Sequence, residues 1–157
     1  FDKKIYETMR YKVFQNHYFG YGVVKDGVFK LSISEVLSDT ESTFTAIFES
    51  LVLGSKAGID GKTLYDVFSS SGVSSPLFKN CAKLIMDRKF ENTGSHISTM
   101  YKDLGISMGM AKEIGVPMFT ASAAFELFQA GISSYPEGDN WSIVKVLEKM
   151  SNTKVEW

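Results

Sequence analysis

A chain of 157 residues, 44% of them hydrophobic, is long enough for one domain with a proper buried core and too short for a nucleotide-binding domain and a substrate domain together. Its 17 basic and 18 acidic residues leave a net charge of −1, so no summed field draws it to phosphate backbones or anionic lipid, which argues against nucleic acid and membrane surfaces as partners. The single cysteine, Cys81, allows no internal disulfide and fits a reducing compartment, making the cytoplasm the expected location.

No apolar run approaches the roughly 20 residues that span a bilayer. Phe1 opens the chain with neither a methionine nor the basic and apolar regions of a signal peptide, and it does so inside a helical pattern. The expectation is that these residues are part of a longer polypeptide.

In chain order, the first thirty residues are aromatic and β-branched. A short charged helix is expected over Asp2 to Arg10 and a strand over Tyr11 to Phe14. Between Tyr18 and Phe29, Asp26-Gly27 signals a turn, because glycine accepts the positive φ of tight turns, and a loose hairpin is expected there. From Lys30 the period becomes helical. Ile33, Leu37, Phe44, Ile47, Phe48, Leu51 and Val52 recur mostly at three- and four-residue steps up to Gly58, giving one long helix of roughly seven turns. Asp60 is placed to cap a second helix with Leu64, Val67 and Phe68 inward, ended by Gly72. Ser75-Pro76 starts a third, with Leu77, Phe78, Cys81, Ile85 and Met86 as its stripe. After a loop at Asn92 to Ser95, Ile97, Tyr101, Leu104, Met108 and Ala111 line a fourth, stopped by Gly115 and Pro117. Thr120 opens a fifth that Gly131 closes. Asp139 opens a sixth with Ile143, Val144, Leu147 and Met150 inward. No fixed-period repeat appears, which disfavours a solenoid.

Few residues suggest chemistry on their own. His17 and His96 are too few for a metal site, Cys81 sits on an apolar stripe as a small core residue does, and the methionines at 100, 108, 110 and 118 read as core filler. Gly20-Tyr21-Gly22 has Lys25 where a dinucleotide fingerprint needs its third glycine, and no strand–loop–helix unit surrounds it. Lys102 and Asp103 flank the apolar Tyr101 and Leu104, where most charges are simply solvated.

More specific are several strings taken in order. Lys102-Asp103-Leu104-Gly105 is followed by Ala111-Lys112-Glu113-Ile114-Gly115-Val116-Pro117. Glu49 to Asp60 reads Glu-Ser-Leu-Val-Leu-Gly-Ser-Lys-Ala-Gly-Ile-Asp, Met86-Asp87-Arg88-Lys89-Phe90 follows, and Asn140-Trp141-Ser142 begins the last segment. Together these resemble the C-terminal domain of the β-hydroxyacid dehydrogenases, the family of 3-hydroxyisobutyrate dehydrogenase, tartronate semialdehyde reductase and L-threonate dehydrogenase. The resemblance covers most of Lys30 to Val155. It implies a mainly α domain with one long N-terminal helix and about five shorter ones (residues 30–157), preceded by a short α/β remnant of a Rossmann dinucleotide-binding domain and its linker (residues 1–29).

The same resemblance implies an oxidoreductase passing hydride between NAD or NADP and a small β-hydroxyacid or its semialdehyde, with the cofactor held mainly by a domain outside this chain and the fragment inactive alone. Oxidation removes the hydroxyl proton as hydride leaves the same carbon, so the protein must supply a group that takes and returns one proton. The family's proton-handling lysine falls at Lys30, at the head of the long helix, and its neighbour one turn on at Ser34, where the family usually has asparagine. Lys102, with Asp103 beside it, falls where the family's lysine reaches the nicotinamide end of the cofactor. The match is not gapless: counting back from Glu49 without insertion puts Ile33 and Leu37, which move no proton, at the lysine and asparagine places. The rival reading is therefore a non-catalytic helical oligomerisation module of the same fold. Homodimers or homotetramers built through this domain are implied in either case.

Overall fold

The computed structural model describes the backbone of residues 24–25, 28–29 and 33–157 and the side chains of residues 41–157. The helix expected at Asp2 to Arg10 and the strand expected at Tyr11 to Phe14 lie outside these residues. Two short strands, β1 (Val24–Lys25) and β2 (Val28–Phe29), pair antiparallel with Val24 opposite Phe29 and Lys25 opposite Val28, the pairing expected on either side of Asp26-Gly27.

Beyond the hairpin the described chain is helical: α1 (Ile33–Lys56), α2 (Gly61–Ser70), α3 (Pro76–Met86), α4 (Ile97–Ile114), α5 (Phe119–Ser134), a 3-10 turn (Asn140–Ile143) and α6 (Val144–Ser151). The fold is thus the mainly α architecture expected, one long helix and five shorter ones. With 24 residues, α1 is about 36 Å long and acts as the spine. Phe44, Ile47, Phe48, Leu51 and Val52 form its buried face, and α4, α5 and α6 pack along it while α2 and α3 pair beside it. Phe44 stacks on Phe48 with centroids 6.0 Å apart and receives the edge of Trp141 at 5.4 Å, joining the spine to the last segment. Each such side chain contributes about 1.5–3 kcal/mol by leaving water.

Most helix boundaries follow from local chemistry. The Asp60 carboxylate accepts from the Thr63 amide at 2.9 Å, which caps α2 and holds that carboxyl below the usual carboxylate range. The Ser75 hydroxyl accepts from the Phe78 amide at 3.0 Å, and Pro76 occupies a position whose missing N–H costs nothing. Gly58 and Gly115 follow α1 and α4 with φ of 86° and 75°, left-handed values that a side chain would resist.

Several expectations need correction. Gly131 does not close α5, which runs on to Ser134. A Cβ at Gly131 would lie 2.6 Å from Ile143 Cγ1 and 3.0 Å from Ile97 Cδ1, so the glycine marks a close approach of three elements. Thr120 does not open α5 either: the helix starts at Phe119, and Met118 before it provides no side-chain cap. Val67 is 59% exposed, because the short α2 turns only a narrow face inward through Leu64 and Phe68. Met150 is 79% exposed; the inward face of α6 carries Val144 and the buried Glu148, and Met150 lies about 200° round the helix from Glu148.

The Gly131 packing gives a first prediction. Inside an ordinary helix Gly→Ala stabilises by about 1 kcal/mol. Here the added methyl meets two fully buried isoleucines, so Gly131→Ala is expected to destabilise by roughly 1–3 kcal/mol in chemical denaturation.

Candidate functional site

Lys102 and Asp103 lie in the second turn of α4, a helix packed against both α1 and α5. Ile97 and Leu104, both fully buried, fix the rotation of α4 about its axis. Tyr101 stacks on Phe125 of α5 with centroids 5.0 Å apart, and its hydroxyl donates to Gln129 Oε1. This packing leaves Lys102 and Asp103 at the margin of the helix–helix seam, where their side chains are only 26% and 14% exposed. Lys102 Nζ lies 2.9 Å from Asp103 Oδ1. The pair is therefore not the freely solvated pair that amphipathic patterning alone suggests. The Nζ atom itself is shut off from solvent, a localised cation with a carboxylate alongside, whose charge suits one polar ligand group and not a diphosphate.

The loop leading into α4 is tied down by the segment before α6. Asp139, 3% exposed, accepts through Oδ2 from the Thr93 amide and from the Thr93 hydroxyl, each at 2.6 Å. The Trp141 indole N–H donates to the same hydroxyl oxygen at 2.6 Å. Asn140 Nδ2 donates to Ser95 Oγ at 2.7 Å, the Asn140 amide to the Ser95 carbonyl at 2.9 Å, and the Ile97 amide to the Gly138 carbonyl at 3.0 Å. Asp139 was expected to open a helix. It does precede the 3-10 turn, but its side chain makes no cap and reaches across the chain instead.

A second long-range tie uses Arg88, which adopts a left-handed conformation with φ 58° just after α3. Its guanidinium grips the Glu148 carboxylate with both terminal nitrogens, Nη2 to Oε2 at 3.0 Å, and Nη1 also donates to the Val155 carbonyl at 3.0 Å. The Val155 amide donates back to Glu148 Oε1 at 2.7 Å, so the buried Val155 and the tail around it are held against α3 and α6. Neither tie was legible as such. The Arg88 string carried a resemblance, but nothing in the spacing paired it with a residue 60 positions on.

The remaining candidates divide simply. Lys30 lies outside the described residues. Ser34 falls in the first turn of α1 by its backbone, while its side chain lies outside the described residues. The helices carrying Ser34 and Lys102 are packed neighbours. Cys81 is fully buried, and burial drives its thiol far above the usual range, which removes it as a nucleophile. No helix of the described residues is long and apolar enough to cross a membrane.

Comparison with known proteins bears on this arrangement. Residues 40–147 match the family model described as NAD-binding of NADP-dependent 3-hydroxyisobutyrate dehydrogenase. An L-threonate dehydrogenase of Haemophilus influenzae is 30% identical over 107 residues, which are 68% of this chain and 35% of that protein. A 2-(hydroxymethyl)glutarate dehydrogenase of Eubacterium barkeri is 30% identical over 112 residues, 70% of this chain and 37% of that protein. The chain thus spans little more than a third of the length of these relatives. In fold it is similar to a 3-hydroxyisobutyrate dehydrogenase of Salmonella typhimurium (TM-score 0.68, 24% identity, covering 73% of this chain and 40% of that one). It is also similar to one from Mycobacterium tuberculosis described with L-serine (TM-score 0.67, 19% identity, 73% and 42%).

Proposed function

Because this chain belongs to the 3-hydroxyisobutyrate dehydrogenase family, we propose that it is the substrate-side, helical part of a cytoplasmic NAD- or NADP-dependent dehydrogenase acting on a small β-hydroxyacid or its semialdehyde. Residues 30–157 form that part, residues 1–29 end a Rossmann domain that precedes it, and the assembly is a homodimer or homotetramer. The observation that carries the reading is the half-buried Lys102–Asp103 pair, standing within the family match on a helix packed against α1. Its chemistry fits the polar nicotinamide end of the cofactor, and the lack of a phosphate-cradling glycine loop in the chain fits a diphosphate held elsewhere. A bound nicotinamide would supply the hydride chemistry. Lys30 takes and returns the hydroxyl proton, which needs its ammonium pKa lowered by burial or a neighbouring cation. Ser34, one turn on, orients the substrate, and Lys102 holds the cofactor end in register.

Lys102→Ala in the protein that carries both domains is expected to raise the KM for the dinucleotide roughly 10- to 100-fold, the loss of a hydrogen bond from a charged group worth about 1.5–3 kcal/mol. Steady-state kinetics with the dinucleotide varied at a saturating concentration of a turned-over β-hydroxyacid measures it, and an unchanged KM removes Lys102 from the site.

One observation favours a second reading, a non-catalytic oligomerisation module of the same fold. Gapless counting from Glu49 puts Ile33 and Leu37 where proton-handling and polar residues belong, and α1 runs without interruption from Ile33 to Lys56. A total absence of turnover in the whole protein supports that reading.

A further inference from the structure

We propose that Asp139 is a positioning residue for Lys102: by anchoring the loop before α4, it sets the first turn of the helix that carries Lys102. The inference rests on the reading of Lys102 as a cofactor contact.

The argument begins with helix ends. The first four amides of an α-helix have no partner inside it, so its first turn is as firm as its outside ties. For α4 those ties are few. His96 Nδ1 accepts from the Ser98 amide at 3.2 Å, at a position that is exposed. The Ile97 amide is satisfied by the Gly138 carbonyl, one residue before Asp139, at 3.0 Å. That contact persists only while the 90–96 loop and the 138–142 segment stay in register.

Asp139 fixes that register at one point from two directions. Its own amide donates to the Phe90 carbonyl at 2.8 Å, while its carboxylate takes both the amide and the hydroxyl of Thr93. Thr93 in turn receives the Trp141 indole, so a single buried carboxylate links the loop, the 3-10 turn and, through Trp141 against Phe44, the α1 spine. The loop turns through two left-handed residues, Asn92 at φ 58° and Gly94 at φ 89°, residue types that accept this conformation.

The direction of side chains on a helix connects this anchor to Lys102. A Cα–Cβ bond tilts towards the helix N-terminus, and a long side chain covers the turn that precedes its own Cα. Lys102 springs from the second turn of α4, directly after the turn held by the Gly138 contact, with its Nζ 2.9 Å from Asp103 Oδ1. Releasing the loop loosens the turn that leads into Lys102, and a misplacement of about 1 Å in a positioning group is enough to cost up to about 100-fold.

A double-mutant cycle in the protein carrying both domains tests this, with the KM for the dinucleotide as its readout. Asp139→Ala is expected to raise that KM about tenfold when Lys102 is present and less than about twofold in a Lys102→Ala background, because the two substitutions remove one interaction. Thr93→Val, which keeps the loop amide for Asp139 but deletes the hydroxyl bridge, is expected to follow the same pattern at smaller amplitude, and Thr93→Ser to restore the parent value. If Asp139→Ala does not fold, the Thr93 pair carries the cycle alone. Additive effects with Lys102→Ala damaging by itself overturn the positioning role and leave the Lys102 reading intact. No effect of Lys102→Ala alone overturns the reading of the site and this inference with it.

Discussion

Lys30→Ala in the protein that carries both domains is expected to abolish practical β-hydroxyacid-dependent reduction of the nicotinamide cofactor, lowering kcat by about 100- to 10,000-fold, with far-UV circular dichroism unchanged. The magnitude is that of a positioned general acid–base group. The reaction cannot leave a carbonyl behind unless the hydroxyl proton goes somewhere as hydride departs, and of the residues at the places the family resemblance implies for proton handling, Ile33 and Leu37 are aliphatic and Ser34 is too weak an acceptor, which leaves Lys30. The effect should fall on kcat with little change in the dinucleotide KM, the reverse of Lys102→Ala, because Lys30 acts on the substrate oxygen and not on the cofactor. Unchanged turnover dismisses Lys30 as the proton carrier. A whole protein without turnover before any substitution instead supports the non-catalytic module.

Arg88→Ala is expected to cost roughly 3–5 kcal/mol of stability by chemical denaturation, as much as deleting a buried aromatic side chain. The carboxylate of Glu148 is 7% exposed, and its partners are the Arg88 guanidinium and the Val155 amide. Removing the cation leaves a charge buried beside one neutral donor, and it also frees the Val155 carbonyl, which loosens the tail. Arg88 is 27% exposed, so its own loss of packing is the smaller part. The asymmetry supplies a check: Glu148→Gln keeps a hydrogen-bonding acceptor in place and should cost less than Arg88→Ala. Replacing both partners by aliphatic residues, Arg88→Met with Glu148→Leu, should recover much of the loss, because neither charge is then stranded. A double variant less stable than Arg88→Ala would mean that the tail tie at Val155, and not charge burial, dominates.

How far the sequence reached depends on the range of the interaction involved. The long helix, the caps at Asp60 and Ser75, the stop at Gly115 and the stripe of α4 were legible because each is written within four residues of itself, in periodicity or in a side chain that satisfies a nearby amide. The same local signals misled at Gly131, whose missing side chain makes room for Ile143 and Ile97, and at Asp139, whose carboxylate serves Thr93 46 positions earlier. Met150 reads as inward from its apolar side chain; the inward face carries instead Glu148, buried and held by the guanidinium of Arg88.

For the candidate site the division is similar. The string around Lys102 and Asp103 could be picked out by its order and spacing, and the family match at residues 40–147 supports what that order implied about ancestry. The sequence by itself therefore determined the helical class, most helix ends and the family, since these depend on contacts between near neighbours or on the identity of short strings. Only the tertiary structure decided that Lys102 and Asp103 are paired and half-buried, that a buried Asp139 braces the loop ahead of them, and that Arg88 holds the tail through Glu148. The burial of the first pair and the two long-range ties depend on which distant segments share a low-dielectric interior, and chain spacing carries no record of that.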